Sequence, residues 1–562
     1  MVRVLGIDTS WLLGGFLSYL FGDTAIKNHA HSSGEHRAPL MKNWRAFESP
    51  LVQPATIDMR TGGHLEMYVG ETLHAWGGGA PSGVVFGFAE RGSKATFPGP
   101  TILTARGVPV SVTWSNRIGP QPHLLHRNTE PSLMIDASSC YPKCGVPMAI
   151  HVHGLEVPAK YDGLPTHTFY HNTTYYAYYT NRQNPSTKIY HDHALGLAPL
   201  NTWAGMIGTY IVQDPELEER FNLVGVPDML LIIQDKLIAA DGSLRYTEDL
   251  PCTPVQSTHW VPESYGSVNT VNGIVMPLLS VEARTVRFRW VNAANARIYT
   301  FNLPFASHCT VIASDGGFVQ KPQPVPGRKW RLYPLNRVEM LCDFTGLEPG
   351  TAFDVLDRPF QESSYEYDER VLRVQIIPAT STQKVELPSQ LAHYKDFKKL
   401  HRVTQGLTRS ITMADHLDSS GCSTRMDLIE FGDIKDIGAI HHTLHCTRGK
   451  VEKWLFHNPT EDPHPFHWHL VNAQCGIDDD SINTNELKDV LTVPPRTDDE
   501  VAYVCYVACT PDEFLNTGST RTATDFGFEV TEDPYLAHCH IMEHGENLMM
   551  AWFHLTSEDV EK

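Results

Sequence analysis

Three stretches far apart in the chain share one alternation of apolar and polar positions: Val110-Ser-Val-Thr-Trp-Ser-Asn116, Val286-Arg-Phe-Arg-Trp-Val-Asn292 and Val451-Glu-Lys-Trp-Leu-Phe-His-Asn458, the last with one extra residue. A period of two is that of a strand with one packed and one wetter face, the usual material of a two-sheet sandwich. Each stretch closes on an asparagine, and these asparagines lie 176 (292 − 116) and 166 (458 − 292) residues apart. The spacing predicts an all-β chain of three similar domains, at 51–214, 215–385 and 386–562, after an N-terminal extension over 1–50. The boundaries fall near the Asp214-Pro215 turn and in the polar segment around 380–405. A length of 562 residues is too great for one ordinary domain and suits this division.

Composition narrows the picture. With 41% hydrophobic and 19% charged residues the chain can bury real cores, and its 41 glycines and 38 prolines favour short strands and turns. The formal charge of 45 − 64 = −19 argues against a nucleic-acid partner held by backbone phosphates. The apolar run Ser10–Phe21 is too short to span a membrane. Asp8 precedes it, only Arg3 supplies early charge, and no clean cleavage site follows, so we expect an extension packed on the folded body and a cytoplasmic rather than a secreted protein. Of eleven cysteines, Cys140 and Cys144 are spaced to pair or to stay buried thiols, and the others show no framework spacing.

The chemistry concentrates at His538–Met550, HCHIMEHGENLMM. If His538, Cys539 and His540 lie on a strand, both histidines point to one face and the cysteine to the other, so one segment can serve two metal centres. The cysteine side has the ligands of a blue-copper site: the Cys539 thiolate, His544, a weak axial thioether from Met549, and a further histidine from elsewhere. Zinc needs no such late methionine. Three more groups supply imidazoles: His151-Val-His153-Gly154, His191-Asp-His193 and His464-Pro-Phe-His467-Trp-His469. Six of these seven, with His538 and His540, can give eight imidazoles around a three-copper cluster, which leaves His464 to complete the blue site. The cluster ligands come from the first and last thirds and the cluster must therefore lie where these dock, whereas the blue site lies within the last third. The middle third is then a spacer and a possible substrate wall.

At these four motifs the chain resembles the multicopper oxidases, over nearly its whole length from about residue 50. The resemblance implies three cupredoxin-like Greek-key β-sandwich domains and four copper ions. It makes His464, Cys539 and His544 the type 1 ligands with Met549 axial, His151 and His467 the type 2 ligands, and His153, His191, His193, His469, His538 and His540 the ligands of the type 3 pair. Within the family the chain looks closest to the bacterial spore-coat laccase, bilirubin oxidase and phenoxazinone synthase group, on Tyr190-His-Asp-His-Ala-Leu-Gly196, on Trp203–Asp214, and on VNGIVMP at Val271–Pro277. Asp162 matches a carboxylate that lies near the oxygen-reducing cluster in the spore-coat laccases. Those enzymes place a glutamate directly after the last type 1 histidine; here Gly545 stands there, followed by Glu546, so the proton route is expected to differ.

The expected activity is a laccase-like one. Phenols, o-aminophenols or bilirubin-type compounds give up single electrons at the exposed edge of a type 1 histidine, and dioxygen is reduced to water by four electrons, with Asp162 and Glu546 supplying or relaying protons. A metallo-oxidase for cuprous or ferrous ions is the alternative and calls for carboxylates or methionines beside His464 and His544. A copper-binding structural protein of a coat is the third. Asp489, in LKDVLTVP, reads as a solvated strand-end carboxylate or a substrate contact. Gly77-Gly-Gly79 reads as a turn, and HHTLHC at His441–Cys446 as core and turn residues rather than a further metal site. His29 and His31 suit adventitious metal at most, and the Asn172-Thr-Thr174 sequon carries little weight without a secretion signal.

Overall fold

A computed structural model describes residues 38–134, 140–248, 260–325, 327, 329–359, 365–381, 385–417, 423–430, 443–495 and 501–557. Ser10–Phe21, His29, His31, His441 and His442 lie outside them.

The described strands form six sheets, two in each third of the chain. The strands of the first pair run from Thr56 to Gln213, those of the second from Asp228 to Ile377, and those of the third from Thr408 to Thr556. This is the architecture of stacked cupredoxin-like β-sandwiches. No helix among the described residues is long and apolar enough to cross a membrane. Residues 38–50 run along the middle third, where Met41 N donates to Ile238 O at 2.9 Å and Pro50 bridges Leu278.

The strands that bear on the site are β1 (Val110–Asn116), β2 (Ile150–His153), β3 (Ser186–Asp192), β4 (Thr285–Asn292), β5 (Arg337–Asp343), β6 (Val451–His457), β7 (His464–Trp468), β8 (Val490–Val493), β9 (Tyr535–Cys539) and β10 (Met550–Thr556). β1 and β6 begin the repeated segments and alternate buried with less buried positions along most of their length. β4 departs from that reading, because all eight of its residues are buried. Its second face carries Arg287 and Arg289, whose charges are met by Glu218, Glu339 and Asp228, and it packs against Thr187 of the first third.

The repeated asparagine has a common job. In each copy its side-chain oxygen accepts the N–H two residues on: Asn116 from Ile118 at 3.0 Å, Asn292 from Ala294 at 2.9 Å, Asn458 from Thr460 at 3.1 Å. This is an Asx turn, which ends a strand by giving the backbone a local partner.

Among the described residues four disulfides join Cys140 to Cys144, Cys309 to Cys342, Cys446 to Cys509 and Cys475 to Cys505; the first is one of the two states its spacing allowed, and the other three form a framework that spacing did not suggest. Cys309 and Cys342 are cross-strand partners, as are Cys475 and Cys505. Such pairs are set by sheet register and leave no fixed interval in sequence. Cys539 is the free cysteine among the described residues and is buried.

Candidate metal centres

Strand register brings the histidines together. β2 and β3 are antiparallel with His151 opposite His191, and β7 and β9 are antiparallel with His467 opposite His538. Cross-strand partners share a sheet face, so each pair presents two imidazoles to one side. The eight rings His151, His153, His191, His193, His467, His469, His538 and His540 meet where the first and last thirds dock, and none is more than 4% exposed. His151 stacks on His469 with centroids 4.0 Å apart, and His153 on His467 at 3.7 Å. His193 Nε2 and His469 Nε2 lie 3.3 and 3.4 Å from His538 Nε2. His540 approaches His153 and His191, at 5.0 and 5.4 Å between centroids.

Five of these rings are oriented through Nδ1. His151 donates to Asp162 O (2.6 Å), His191 to Asp192 O (2.8 Å), His467 to Asp489 O (2.7 Å), His538 to Cys539 O (2.9 Å) and His469 to Asp162 Oδ2 (2.6 Å). The hydrogen bond at Nδ1 leaves the Nε2 lone pair facing the shared space. Nε2 of His151, His191 and His467 and both ring nitrogens of His540 are buried without a protein partner. Orphaned buried polar atoms cost about 1–3 kcal/mol each unless something fills the gap. Burial pushes His191 down to about 3 and His469 to about 4, and drives His153, His193, His467, His538 and His540 well below the ordinary 6.5. Neutral imidazoles with convergent lone pairs are metal ligands.

On the opposite side of β9, Cys539 Sγ lies 3.7 Å from His464 Nδ1 and 3.8 Å from His544 Nδ1, and those two nitrogens are 3.2 Å apart. One thiolate and two imidazoles around a single point, all in the last third, fit a soft transition metal. Met549 is buried in the same core, its N–H on His544 O and its C=O on Cys539 N. The outer nitrogens are also held: Thr460 Oγ1 lies 2.7 Å from His464 Nε2, and Glu263 Oε1 2.6 Å from His544 Nε2. His464 is 1% exposed and His544 0%, so the expected exposed histidine edge is absent. Glu263 covers it.

Two further expectations are corrected here. Asp489 is 1% exposed and is neither solvated nor at a substrate surface, because the Arg337 guanidinium grips it and its Oδ1 lies 3.3 Å from His153 Nε2. The middle third is more than a spacer: Arg337 reaches one cluster through Asp489, and Glu263 reaches the other. In HHTLHC, read as core and turn, the described residues belong to a strand in which Cys446 is buried and tied into a disulfide, and His445 lies beside His554 at 5.7 Å between centroids.

Asp162 sits beneath His151 and His469, as described. Glu546 accepts the N–H of Gly196, which fastens the turn after His193 to the segment after His544. A Cβ at Gly545 would lie 3.0 Å from Cys539 O and 3.6 Å from His538 Nδ1, so the position after His544 backs onto the outer edge of His538 and this chain carries no side chain there. Sequence reasoning missed Glu263, Thr460, Lys188 and Arg337. Lys188, three residues before His191 in the wholly buried β3, was the one visible signal, since a lysine on a buried strand needs a buried anion.

Family models described as multicopper oxidase match residues 143–217 and 424–559. The chain is 29% identical over 516 residues to the rice (Oryza sativa subsp. japonica) protein "Multicopper oxidase LPR1 homolog 1", covering 84% of each. It is 29% identical over 488 residues to a laccase of Bacillus subtilis, covering 82% of this chain and 88% of that one. The fold matches the McoA multicopper oxidase of Aquifex aeolicus with a TM-score of 0.68 at 20% identity, over 91% of this chain and 99% of that one. With buried histidine and cysteine clusters at the matching motifs, the chain belongs to the multicopper oxidase family. Its activity is that of a laccase-like multicopper oxidase.

Proposed function

We propose that the chain holds four copper ions and couples one-electron oxidation of small electron-rich aromatics, phenols or o-aminophenols, to the reduction of dioxygen to water. The observation that carries this is β9, which turns Cys539 to one cluster and His538 to the other. In this reading His464, Cys539 and His544 hold the type 1 ion with Met549 axial, and His151 and His467 the type 2 ion. His153, His191 and His540 hold one ion of the type 3 pair, and His193, His469 and His538 the other. When bound, the coppers would supply one-electron acceptance at the first site and three more one-electron couples at the second, four electrons in all for dioxygen. The chain's own residues fix the path between them: Cys539 O accepts the His538 Nδ1–H at 2.9 Å, a shortcut from the thiolate residue to a cluster ligand. Asp162, kept well below the ordinary carboxylate range despite its burial because His469 and His151 flank it, would pass protons on there rather than store one, and Glu546 anchors the turn that carries His193.

Three domains with the boundaries given above, and kinship to the spore-coat laccase group, belong to the same proposal. Dioxygen and the reductant are the partners. The four disulfides among the described residues support an oxidising compartment, against the cytoplasmic location expected from the N-terminus, because such bonds are rare in reducing cytosol.

One observation favours a second reading, a cuprous or ferrous ion as reductant. Glu263 lies on the His544 edge, and the negative charges of Glu263, Asp415 and Glu461 all bear on Asp462. Carboxylates gathered there suit a cation better than an aromatic ring. The two readings separate by steady-state comparison of copper-loaded enzyme on a phenol, an o-aminophenol, bilirubin, cuprous ion and ferrous ion, with oxygen uptake and product followed together. Aromatics are expected to lead. A metal ion preferred by two orders of magnitude in kcat/KM, about 2.7 kcal/mol in transition-state binding, reverses the ranking. Glu263→Gln then assigns the cause, since it cuts metal-ion oxidation at least tenfold only if that carboxylate binds the ion.

A further inference from the structure

Arg337 begins β5 in the middle third, which carries none of the proposed copper ligands, and is 1% exposed. All five of its guanidinium N–H bonds have acceptors. Nη1 and Nη2 each donate at 2.6 Å to one oxygen of Asp489, and their other hydrogens go to Leu335 O and Asp315 O, both at 3.0 Å. Nε donates to Thr187 O on β3 at 3.1 Å. The fork therefore holds the Asp489 carboxylate in one plane and ties it to the strand that leads into His191.

Asp489 in turn touches two imidazoles from opposite ends of the chain. Its main-chain O accepts the Nδ1–H of His467 at 2.7 Å, and its Oδ1 lies 3.3 Å from His153 Nε2. A carboxylate flanked by Arg337 and by Lys188, whose Nζ is 3.5 Å from Oδ2, only accepts, so the hydrogen of His153 is on Nε2. The lone pair of His153 is then on Nδ1, which is buried without a protein partner. This is the reverse of the five rings oriented through Nδ1, and it lets His153 stack on His467 with planes 16° apart.

We propose that Arg337 is a positioning residue for oxygen reduction: by fixing Asp489 it selects Nδ1 of His153 as the ligand atom and sets the His153–His467 stack. The proposal rests on the assignment of both histidines to the three-copper cluster. Charge alone does not explain the arginine, because Lys188 already stands beside Asp489. What Lys188 cannot do is hold both carboxylate oxygens in plane. Loss of the fork leaves a compensated carboxylate free to turn, and with it the His153 ring.

The test uses full-length, copper-loaded Arg337→Lys and Arg337→Ala beside the parent, with copper content, thiolate absorption, electron paramagnetic resonance, and reoxidation by oxygen after anaerobic reduction. In both variants the thiolate absorption and the rate of its reduction by substrate stay at parental values. The type 2 signal shifts or loses intensity, reoxidation slows at least tenfold, and kcat falls without a rise in KM for the reductant. Guanidinium added to Arg337→Ala restores part of the reoxidation rate, which a merely weakened fold would not allow. Should Arg337→Ala not fold, Arg337→Lys carries the test, since it keeps charge and volume and lacks the fork. An Arg337→Lys protein with the parental type 2 signal and reoxidation rate overturns the proposal. A parent without any three-copper signature overturns instead the assignment of His153 and His467, and this inference falls with it.

Discussion

Cys539 serves both clusters with different atoms, its sulfur facing His464 and His544 and its carbonyl oxygen accepting a hydrogen bond from His538 Nδ1–H. Cys539→Ser keeps the carbonyl and loses the soft sulfur, so it should abolish thiolate absorption and turnover while the type 2 signal persists. His467→Ala should do the converse, leaving the blue copper reducible by substrate and slowing reoxidation by oxygen. Two histidines outside the ligand sets make a pH prediction. Burial holds His123 down to about 3 and His74 to about 4, against 6.5 in an unfolded chain. Their folded pKa is depressed, so the unfolded state takes the proton first. The stability they contribute is full above about pH 6.5 and is lost as pH falls toward 4 and 3. Denaturant midpoints should drop through that window, and His123→Gln should flatten the drop. At this scale the ligands were legible because HxH and HCH spacings repeat in sequence. Glu263 and Arg337 were not, since each acts on a residue more than 150 positions away and no local pattern marks such a partner.

The strand repeat was legible as elements, down to the closing asparagine, yet its use at the third copy was not. There the Asx turn at Asn458 carries Thr460, whose Oγ1 lies 2.7 Å from His464 Nε2, so the end of β6 aims a ring of the Cys539 cluster. Asn458→Ala removes an acceptor for Thr460 N and donors to Asp462 O and Val493 O. The loss should cost about 1–3 kcal/mol by thermal or denaturant unfolding. It should also shift the thiolate absorption, whereas the equivalent Asn116→Ala should cost similar stability and leave that absorption alone. Gly163 closes a different turn, with φ at +68° and a would-be Cβ driven into Ile150 O on β2. The polar alternation expected of β4 failed because a strand between two thirds has no wet face. Arginines paired with carboxylates satisfy the same period as surface residues do.

For the whole molecule, the cluster is a joint between the first and last thirds. Chelating copper should leave eight buried imidazoles facing one another and loosen that joint. The measurement is thermal stability and limited proteolysis with and without copper, where ligand at a hundred times its dissociation constant adds about 2.7 kcal/mol. Equal stability in the two states would contradict it. The same joint fixes when the protein can mature. His151 leaves the ribosome 389 residues ahead of His540 (540 − 151), and its cluster has no second half until the last third has been made and folded. A nascent chain arrested before His538 exposes the first-third imidazoles without a partner and should hold copper no better than an unstructured peptide of the same composition. Metal insertion is thus a closing event of biogenesis, and the cell must keep copper available to finished, docked chains rather than to growing ones.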